Sequence, residues 1–449
     1  MNNKNIMIVA DSPVFSSGVG NCARHMAKKF VNDGNRVVCI GVIANNNRQE
    51  ITPPTLHKFD GGEEVIIYES AAYDNLALYD YIIKNHKIDA IVIQTDPFRY
   101  RRLMNYSYLY LQKIGIYWVS VWDTDLVNHP MGKPHWNKDF YESVSRLGCI
   151  SKQTEWFINT VLEKSDMEKK PVVEYVGHGS DPSVYKPVPP QDLIDIKQKL
   201  FRGMEYDFVA FFNSRNQNRK KACDLLMGFR YFTESLPPEQ AAKCAILLQT
   251  DVTSEYGTNL SEFCAEFTPL QHVYINNDRV PETVLNKFYN IADVTCNVSN
   301  AEGFGLSCGE SLLAGTPVIA NATGGLVDQI GFYDEGGNTP RWTPEFKKNL
   351  KNMGHGTHAY PLFGQNTIIG NPETIALFDS NASIEDIAAG LKYWYELPPY
   401  ERKRRGLKGR EYMINNELTS EDFAAKVAKG TYEMMESFVP QTAFSIYKG

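Results

Sequence analysis

The chain has 449 residues, of which 43% are hydrophobic, 22% charged and 12% aromatic, with a formal net charge of −7 at pH 7. This length suits two or three domains and the composition is that of a globular protein, which excludes collagen-like, coiled-coil and largely disordered chains. The acidic net charge argues against indiscriminate binding of nucleic acid, although basic runs occur at 99–102, 215–221 and 402–405.

The amino terminus and the cysteines indicate a cytoplasmic protein. The chain begins MNNKNIMIVADSP, where a five-residue apolar run is followed by an aspartate, which is not the pattern of a secretory signal. No apolar stretch approaches the ~20 residues of a membrane-spanning helix, so we expect no membrane span. The eight cysteines form no C-x-x-C pair and show no zinc-ligand spacing. We therefore expect free thiols in a reducing compartment.

The first part of the chain alternates short apolar runs with helical patterns. Strands are predicted at 4–10, 36–43, 63–68, 89–94, 114–122, 146–150 and 172–176. A helical pattern follows the glycine loop SSGVGNC, and others occur at 75–87 and 153–164. Strands that alternate with helices indicate a parallel sheet covered on both faces, so we expect a doubly wound α/β domain.

A second series of the same kind follows a break at 177–192, where glycine, proline and polar residues leave no periodic pattern. Its strands are predicted at 207–213, 243–249, 271–276, 293–299 and 316–321. The segment 332–372 is rich in Gly, Asn and Pro and is too long for an ordinary connection, so we predict an ordered insertion near a functional edge. The remaining residues show the apolar spacing of helices.

The most informative stretch reads EGFGLSCGESLLAGTPVIA, a loop and a helix between two predicted strands. Glu302 falls at the carboxyl end of the first strand, and Gly303 and Gly305 allow the backbone to approach a ligand. We expect Ser307 to cap the helix. The amides near Gly305 and Leu306 would then point at an anion, which is favoured there by ~0.3–1 kcal/mol. The pattern predicts a phosphate site.

Glu310, eight positions after Glu302, is predicted on the side of the helix that faces the same loop. There its carboxylate can accept hydrogen bonds from a vicinal diol such as a ribose. The simpler interpretation is that both are surface carboxylates on an ordinary turn, but glycines and a glutamate are costly choices in a buried junction. E-G-F-G-L-x-x-x-E followed by LLAGTPVIA resembles the two-glutamate (E-x7-E) signature of retaining nucleotide-sugar glycosyltransferases with the GT-B fold, a family 4-like pattern.

A second stretch, SRNQNRKKACDLLMGF, is similar to the part of that family in which an arginine and a lysine bind the donor diphosphate. The resemblance assigns these roles to Arg215 and Lys221, with Lys220 as the alternative lysine. Fixed cations in a closed cleft stabilise the charge of the leaving phosphates. The competing interpretation is a basic helix start on a solvated face, which is unfavourable unless an anion lies there. Ser214 and Ala222 stand where the family usually has glycine.

The resemblance implies a GT-B architecture, in which two doubly wound Rossmann-like domains face each other across a cleft. Residues 1–185 would form the acceptor-binding domain. Residues 190–419 would form the nucleotide-sugar domain, with the insertion at about 332–372. A last helix at about 420–449 would cross back onto the first domain.

The resemblance also implies the site residues, with catalytic roles for Arg215, Lys221 and Glu302. Donor binding would involve Gly18, Gly20, Arg215, Lys221, Asn277, Arg279, Glu302, Gly303, Phe304, Gly305, Leu306 and Glu310. The two glycines of the first loop fit a plain helix-entry turn equally well. A nucleotide-diphosphate sugar of the UDP or GDP type would be the co-substrate. No tightly bound cofactor and no metal are expected, because two cations and a helix terminus already offset the charge.

One departure from the family affects the acceptor side. Many members have a histidine after the fifth strand, in V-x-H-D or V-x-H-E, whereas this chain has VSVWDTD, with Trp122 at that position and Asp123 after it. Trp122 can stack on a sugar or pack in the core, and His129 can approach the cleft or be a structural loop histidine. Asp123 and Asp125 also form D-x-D, the metal-binding signature of the GT-A fold, which the nucleotide-site features in the second domain disfavour.

The predicted reaction is transfer of a sugar, with retention, to a hydroxyl of a glycan, a lipid or a small molecule. One alternative is a transferase that glycosylates a modified DNA base. The basic run RYRR at 99–102 is the relevant feature for that alternative, and the acidic net charge counts against it. A second alternative is a nucleotide-sugar-binding protein without catalysis, which the missing histidine permits.

Overall fold

The computed structural model describes residues 3–15, 17–43, 53–95, 114–122, 138–371 and 374–439, without the side chains of 368–378. The described residues divide into two compact units. Unit 1 contains the described residues up to His178 together with those from Ser420 onward, and unit 2 contains Gly179–Thr419. The change of unit at His178 falls inside the break predicted at 177–192.

The elements alternate as the sequence pattern predicts. The strands are β1 (Asn5–Asp11), β2 (Arg36–Val42), β3 (Thr55–Lys58), β4 (Glu64–Ser70), β5 (Ala90–Gln94), β6 (Gly115–Val121), β7 (Arg146–Cys149), β8 (Val172–Tyr175), β9 (Phe208–Asn213), β10 (Cys244–Gln249), β11 (His272–Asn276), β12 (Val294–Asn297), β13 (Val318–Asn321), β14 (Ala359–Leu362), β15 (Gln365–Asn371) and β16 (Thr374–Asn381). The helices are α1 (Gly18–Asn32), α2 (Leu76–His86), α3 (Lys138–Glu142), α4 (Lys152–Leu162), α5 (Ile194–Leu200), α6 (Ala222–Glu234), α7 (Pro238–Ala241), α8 (Leu260–Phe267), α9 (Glu282–Ile291), α10 (Leu306–Leu313), α11 (Gly325–Ile330), α12 (Pro344–Asn349), α13 (Ile384–Glu396), α14 (Pro399–Asn415) and α15 (Ser420–Ser437).

Unit 1 is built on a sheet of eight strands in the order β3-β4-β2-β1-β5-β6-β7-β8. Its strands are parallel except for the edge strand β3, which is antiparallel to β4. The sequence pattern did not predict β3, because TLHK has no run of apolar residues. Helices α1 and α15 pack against each other on this sheet, where Met26 and Phe30 of α1 share a buried cluster with Phe423 and Val427 of α15.

Unit 2 contains a sheet of six parallel strands in the order β11-β10-β9-β12-β13-β14. From β9 the chain proceeds outward through β10 and β11, and then returns to place β12 on the other side of β9. A doubly wound sheet forms a crevice at the carboxyl ends of its strands where the strand order reverses. Here that point lies between β9 and β12, so the loops 214–221 and 298–305 meet there.

The segment predicted as one insertion at 332–372 has two parts on either side of a sheet strand. Strand β14 pairs in parallel with β13 at the edge of the sheet, and the antiparallel hairpin of β15 and β16 follows it. Pro361 in β14 weakens the strand pattern, but proline is tolerated in an edge strand because one side of the backbone has no strand to donate to. The connection between α11 and β14 therefore covers only 331–358.

Candidate active site

The two loops at the switch point of unit 2 are hydrogen-bonded to each other. The amide of Asn300 donates to the carbonyl of Arg219 at 2.8 Å, and the Arg219 guanidinium donates to the carbonyl of Ala301 at 2.8 Å. Because each loop follows a strand of one parallel sheet, these bonds hold the basic stretch and the glutamate loop in a fixed relation.

A buried ion pair lies between the two loops. The ammonium of Lys220 donates to Oε2 of Glu302, and Nη1 of Arg219 lies 3.7 Å from the same oxygen. The side chains of Lys220 and Glu302 are 11% and 12% exposed. Burial alone would raise the pKa of Glu302, but the charges of Lys220 and Arg219 and the hydrogen bonds to the carboxylate outweigh it, so the pKa lies below its usual value. Glu302 is therefore ionised at neutral pH.

The structure places Lys221 differently. Lys221 has a left-handed φ of 56° between the 3₁₀ turn at 218–220 and α6, and its ammonium lies 3.3 Å from the carboxylate of Asp224. The left-handed conformation is the one that glycine favours, and the family pattern has a glycine after its lysine. Lys221 takes a backbone conformation that glycine favours, and Lys220, the alternative in the sequence, is the lysine that contacts Glu302.

Arg215 is an exposed cation at the start of the same loop. Among the residues that the structure describes, its side chain has no hydrogen-bonding or ionic partner. Asn216, which sequence analysis did not single out, is 2% exposed and ties this loop to the segment after β10. Its side-chain amide donates to the carbonyl of Thr258 at 2.6 Å and accepts from the amide of Thr258 at 3.1 Å. The basic loop is therefore held from both sides, while Arg215 remains available to a ligand.

Helix α10 begins at Leu306, with Gly305 as its N-cap at a φ of 91°. The expectation that Ser307 caps this helix is wrong, because Gly305 takes that place and no side chain caps the first turn. The first amides of an α-helix have no partner within the helix, and they carry its positive partial charge. The helix therefore presents donors next to the Glu302 loop, as an anion site requires.

Gly324 and Gly325, at the start of α11, pack against the backbone of the Glu302 loop. The amide of Gly325 donates to the carbonyl of Gly303 at 3.0 Å, and a Cβ on Gly324 would lie 1.9 Å from the carbonyl oxygen of Glu302. Gln329 donates to the carbonyl of Phe304 at 2.6 Å. Phe304, predicted at the donor site, is only 2% exposed, so its ring packs in the core and its backbone shapes the loop.

Glu310 lies on α10 at the carboxyl end of β9. Its Oε2 accepts hydrogen bonds from the Tyr289 hydroxyl at 2.6 Å and from the Asn213 amide at 3.4 Å, and Asn213 also donates to Tyr289 at 2.7 Å. Burial raises the pKa of Glu310 to about 7. The charge of this side chain therefore changes near neutral pH.

Asn277 and Arg279 follow β11, at the outer side of the sheet, and both are exposed. The side-chain oxygen of Asn277 accepts from the amide of Val252 at 2.9 Å, so it supports the segment after β10. The structure thus brings Lys220, Glu302 and the start of α10 together. It places Asn277 and Arg279 two strands away from β9.

In unit 1 the predicted glycine loop follows β1 and starts α1. Ser17 caps this helix by accepting from the amide of Gly20 at 2.9 Å, and its hydroxyl donates to Asp11 at 2.7 Å. A Cβ on Gly20 would lie 2.5 Å from the carbonyl oxygen of Phe15, so this position requires glycine, whereas Gly18 is exposed. The loop is a helix-entry turn at the switch point between β1 and β5.

Trp122 is half-buried directly after β6. Two residues before it, Ser120 has a left-handed φ of 61° and is hydrogen-bonded to the buried ring of His178. Asp123, Asp125 and His129 lie outside the described residues, as does the basic run at 99–102.

The basic run at 402–405 is a structural feature of unit 2. Arg402 is 4% exposed and its Nε lies 2.9 Å from Asp293, while Arg404 and Arg405 each pair with Glu401 at 2.7 Å. These pairs offset the charges of the three arginines of this run.

Within the described ranges, no group of three or more His, Cys, Asp or Glu side chains is arranged to hold a metal ion. In the same residues, no helix combines the length and the apolar character needed to cross a membrane.

A sequence model of the family described as "Glycosyl transferases group 1" matches residues 262–338, which include Glu302, the start of α10 and Glu310. Among curated protein sequences, none matches this chain. The sucrose-phosphate synthase of Thermosynechococcus elongatus is similar in structure, with a TM-score of 0.68 at 13% identity over 97% of this chain and 100% of that one. A glycosyltransferase from Rickettsia africae ESF-5 gives a TM-score of 0.68 at 16% identity over 97% and 100% of the two chains.

HepE of Anabaena, in complex with UDP and glucose, is also similar, with a TM-score of 0.63 at 12% identity over 96% of this chain and 100% of that one. At such identities the likeness shows the fold, which is GT-B, as the family resemblance implied. The GT-A interpretation of the D-x-D pattern is therefore wrong. The fold and the family match together support the interpretation that the protein is a glycosyltransferase.

Proposed function

We propose that the protein is a retaining glycosyltransferase that moves a sugar from a nucleotide-diphosphate sugar to a hydroxyl of a glycan, a lipid or a small molecule. The proposal rests on one observation. The basic loop, the Glu302 loop and the first turn of α10 meet at the switch point of unit 2, with Lys220 against Glu302.

In this proposal the diphosphate of the donor lies between the basic loop and α10. Arg215 and Lys220 supply fixed cations, and the amides of Gly305 and Leu306 supply hydrogen-bond donors. The charge that develops on the leaving phosphate is stabilised by groups already in place, which is the largest effect available to such a site. The same cations offset the charge without a metal. Lys221, whose ammonium pairs with Asp224, has a lesser part.

Glu302 and Glu310 take two different roles. Glu302, held ionised by its cations, accepts hydrogen bonds from hydroxyls of the transferred sugar or contacts its phosphate. Glu310 accepts from the ribose diol in its ionised form. The configuration is retained if the acceptor hydroxyl attacks the anomeric carbon on the same face from which the phosphate departs. The bond from that carbon to the phosphate oxygen breaks, and the departing phosphate takes the proton of the hydroxyl.

The acceptor side is assigned to unit 1, with Trp122, Asp123 and His129 of the segment that follows β6 in the sequence as acceptor residues. Gly18 and Gly20 of the first glycine loop stay donor-binding residues in this proposal. The Anabaena protein binds UDP and glucose in its structure, which supports a donor of the UDP or a related diphosphate type. The family 4-like assignment from the two-glutamate spacing belongs to the same proposal, and the cytoplasmic location predicted from the amino-terminal sequence and the cysteines stays a prediction.

A ligand screen tests the proposal. Thermal unfolding is measured with UDP, GDP, ADP and CMP and with their sugars, where a ligand at 100 times its Kd adds ~2.7 kcal/mol to the free energy of unfolding. We expect stabilisation by a nucleoside diphosphate, slow hydrolysis of the matching sugar donor, and a first-formed sugar product with the anomeric configuration of the donor. If none of these ligands stabilises the protein, the proposed donor site is wrong. Binding without hydrolysis would favour the non-catalytic alternative, and an inverted product would exclude retention.

A further inference from the structure

A pocket lies in unit 2, away from the ion pair of Lys220 and Glu302. The connection at 331–358 lines an open pocket of about 600 Å³ on the way from α11 to the amino end of β14. Glu302 follows the carboxyl end of β12, and β12, β13 and β14 are parallel. The pocket and the candidate active site therefore lie toward opposite ends of the same sheet.

An aromatic ring forms one wall of this pocket. The amide of Tyr333 donates to the carbonyl of Gly354 at 2.9 Å, and a Cβ on Gly354 would lie 2.2 Å from Cε2 of the Tyr333 ring. The ring thus rests directly on the glycine backbone, although Tyr333 is 40% exposed. Phe346 and Met353 add apolar surface to the same pocket. A supported and exposed aromatic ring is a flat surface on which the C–H face of a sugar can stack.

Five polar side chains surround the ring, and they have hydrogen-bonding groups available to a ligand. The pocket is lined by Glu335, Arg341, Glu345, Asn349 and Asn352. Within the part of the chain that the structure describes, none of these five side chains forms a hydrogen bond or an ion pair with another residue. Carboxylate, guanidinium and amide groups each offer two adjacent acceptors or donors, which match pairs of neighbouring hydroxyls.

The rim of the pocket is rigid. One carboxylate oxygen of Asp334 accepts from the amides of Gly336 and Asn338, both at 2.9 Å, and Gly337 completes the turn with a φ of 78°. Three carboxylates and one guanidinium line the pocket, so its charge disfavours phosphates and nucleotides. A neutral ligand with many hydroxyls and an apolar face is the chemistry that these groups fit.

We propose that this pocket is a second carbohydrate site, which binds a neutral oligosaccharide on Tyr333. Arg341 and the side-chain amides donate hydrogen bonds to its hydroxyls, and the carboxylates accept hydrogen bonds from them. The site does not depend on the donor site, since no residue is shared between them. In a glycosyltransferase it would hold a part of a glycan acceptor or product distant from the reacting hydroxyl.

Saturation-transfer NMR and calorimetry with the full chain test the proposal in the absence of any nucleotide. The probes are maltotriose, cellotriose and triacetylchitotriose, at up to about 10 mM, since a Kd of ~1 mM corresponds to about −4 kcal/mol. We expect at least one probe to bind. Tyr333→Ala and Arg341→Ala should each weaken its affinity by about tenfold, whereas Tyr400→Ala, which removes a 74% exposed tyrosine elsewhere in unit 2, should leave the affinity unchanged.

Two further measurements separate this site from the donor site. Glu345→Gln removes only a charge from the rim and provides a folded variant if Tyr333→Ala does not fold. It should weaken binding while the response to nucleotides stays as in the wild type. Failure of all three probes to bind, binding unaffected by the Tyr333, Arg341 and Glu345 variants, or displacement of the oligosaccharide by UDP would each overturn the second site. The first two results leave the proposal of a donor site untouched, whereas displacement would show that UDP and the oligosaccharide compete for one site.

Discussion

At the scale of single residues, the buried ion pair of Lys220 and Glu302 places a fixed cation and an ionised carboxylate in the candidate active site. Removing one partner of a buried ion pair leaves an uncompensated charge, which typically costs about 3–5 kcal/mol. We expect Lys220→Ala to lower the rate of transfer by ~10²–10³ and to reduce stability, because a fixed cation is lost from the diphosphate and the buried carboxylate of Glu302 keeps only the more distant Arg219 as a cationic partner. Initial rates and urea unfolding measure the two effects.

Lys221→Ala is the matched control for Lys220→Ala. Its ion pair with Asp224 is partly exposed, and such pairs contribute about 0–1 kcal/mol. Adding Glu302→Gln to Lys220→Ala should restore part of the lost stability without restoring the rate. If Lys221→Ala impaired transfer as much as Lys220→Ala, the assignment of Lys220 would be wrong.

The proposed ribose contact of Glu310 predicts that nucleotide binding depends on pH. Burial raises its pKa to about 7, so the carboxylate is mostly protonated below that pH and ionised above it. Only the ionised form accepts hydrogen bonds at both oxygens, so we expect UDP to bind roughly tenfold more weakly at about pH 6 than at about pH 8. Calorimetry at both values measures the difference.

Glu310→Gln serves as the control for the titration of UDP itself. It should bind UDP weakly at both pH values, with the smaller dependence that the phosphate groups alone produce. The raised pKa also means that folding favours the protonated form, so the free energy of unfolding of the wild type should fall between about pH 4.5 and about pH 7, and this fall should be absent from the variant. Equal pH dependence of wild type and variant would contradict the role of Glu310.

At the scale of elements, the hairpin of β15 and β16 is joined to the candidate active site through Asn300. The side chain of Asn300 donates to Asp379 at 3.1 Å, and its carbonyl accepts from the amide of Ser380 at 3.0 Å. Because Asn300 also binds Arg219, the hairpin supports both loops. We expect Asp379→Ala to cost about 1–3 kcal/mol and to lower the transfer rate, since a buried amide loses its acceptor.

Asn381→Ala is the comparison for the hairpin. Asn381 donates to Thr367 at 2.7 Å within the hairpin and does not touch the loops. Its loss should leave the rate within about twofold and the stability within about 0.5 kcal/mol. Melting curves and initial rates of the two variants distinguish a support for the active site from a general effect on the hairpin.

Arg402 joins α14 to the start of the strand that leads to Glu302. Its guanidinium pairs with Asp293, which also accepts from the amide of Val209 in β9 at 2.8 Å. We expect Arg402→Ala to lower the free energy of unfolding by about 3–5 kcal/mol, and Arg404→Ala, at a 59% exposed side chain, by less than about 1 kcal/mol. Urea unfolding measures both. If both substitutions lowered the free energy of unfolding by the same small amount, the run 402–405 would be a solvated basic patch instead of a structural feature.

At the scale of the whole molecule, α15 completes unit 1 although it follows unit 2 in the chain. Arg146 of β7 binds Glu433 of α15 at 2.8 Å, and Phe423 and Val427 are fully buried. A variant that ends at Thr419 exposes this apolar surface to water. We expect faster hydrogen exchange in the strands of unit 1 and unchanged exchange in those of unit 2. Uniform protection in both units would show that α15 is dispensable.

Much of this organisation was predictable from local patterns. Short branched runs between helical patterns predicted the parallel sheets. The family resemblance of the stretch with Glu302 and Glu310 implied the GT-B fold, which is confirmed. The cap at Ser307 was wrong because Gly305 takes the N-cap position. The roles of the predicted site residues stay predictions.

The sequence by itself determined two doubly wound units and the loop in which Glu302 precedes a helix. Strand, turn and helix preferences act over a few residues, so the local order of apolar, glycine and charged residues is enough for these features. Only the tertiary structure decided that Lys220 rather than Lys221 contacts Glu302, that Asn300 joins the hairpin to the loops, and that 331–358 lines an open pocket. Each depends on the backbone conformation at one residue or on contacts between segments far apart in the chain, for which no sequence period exists.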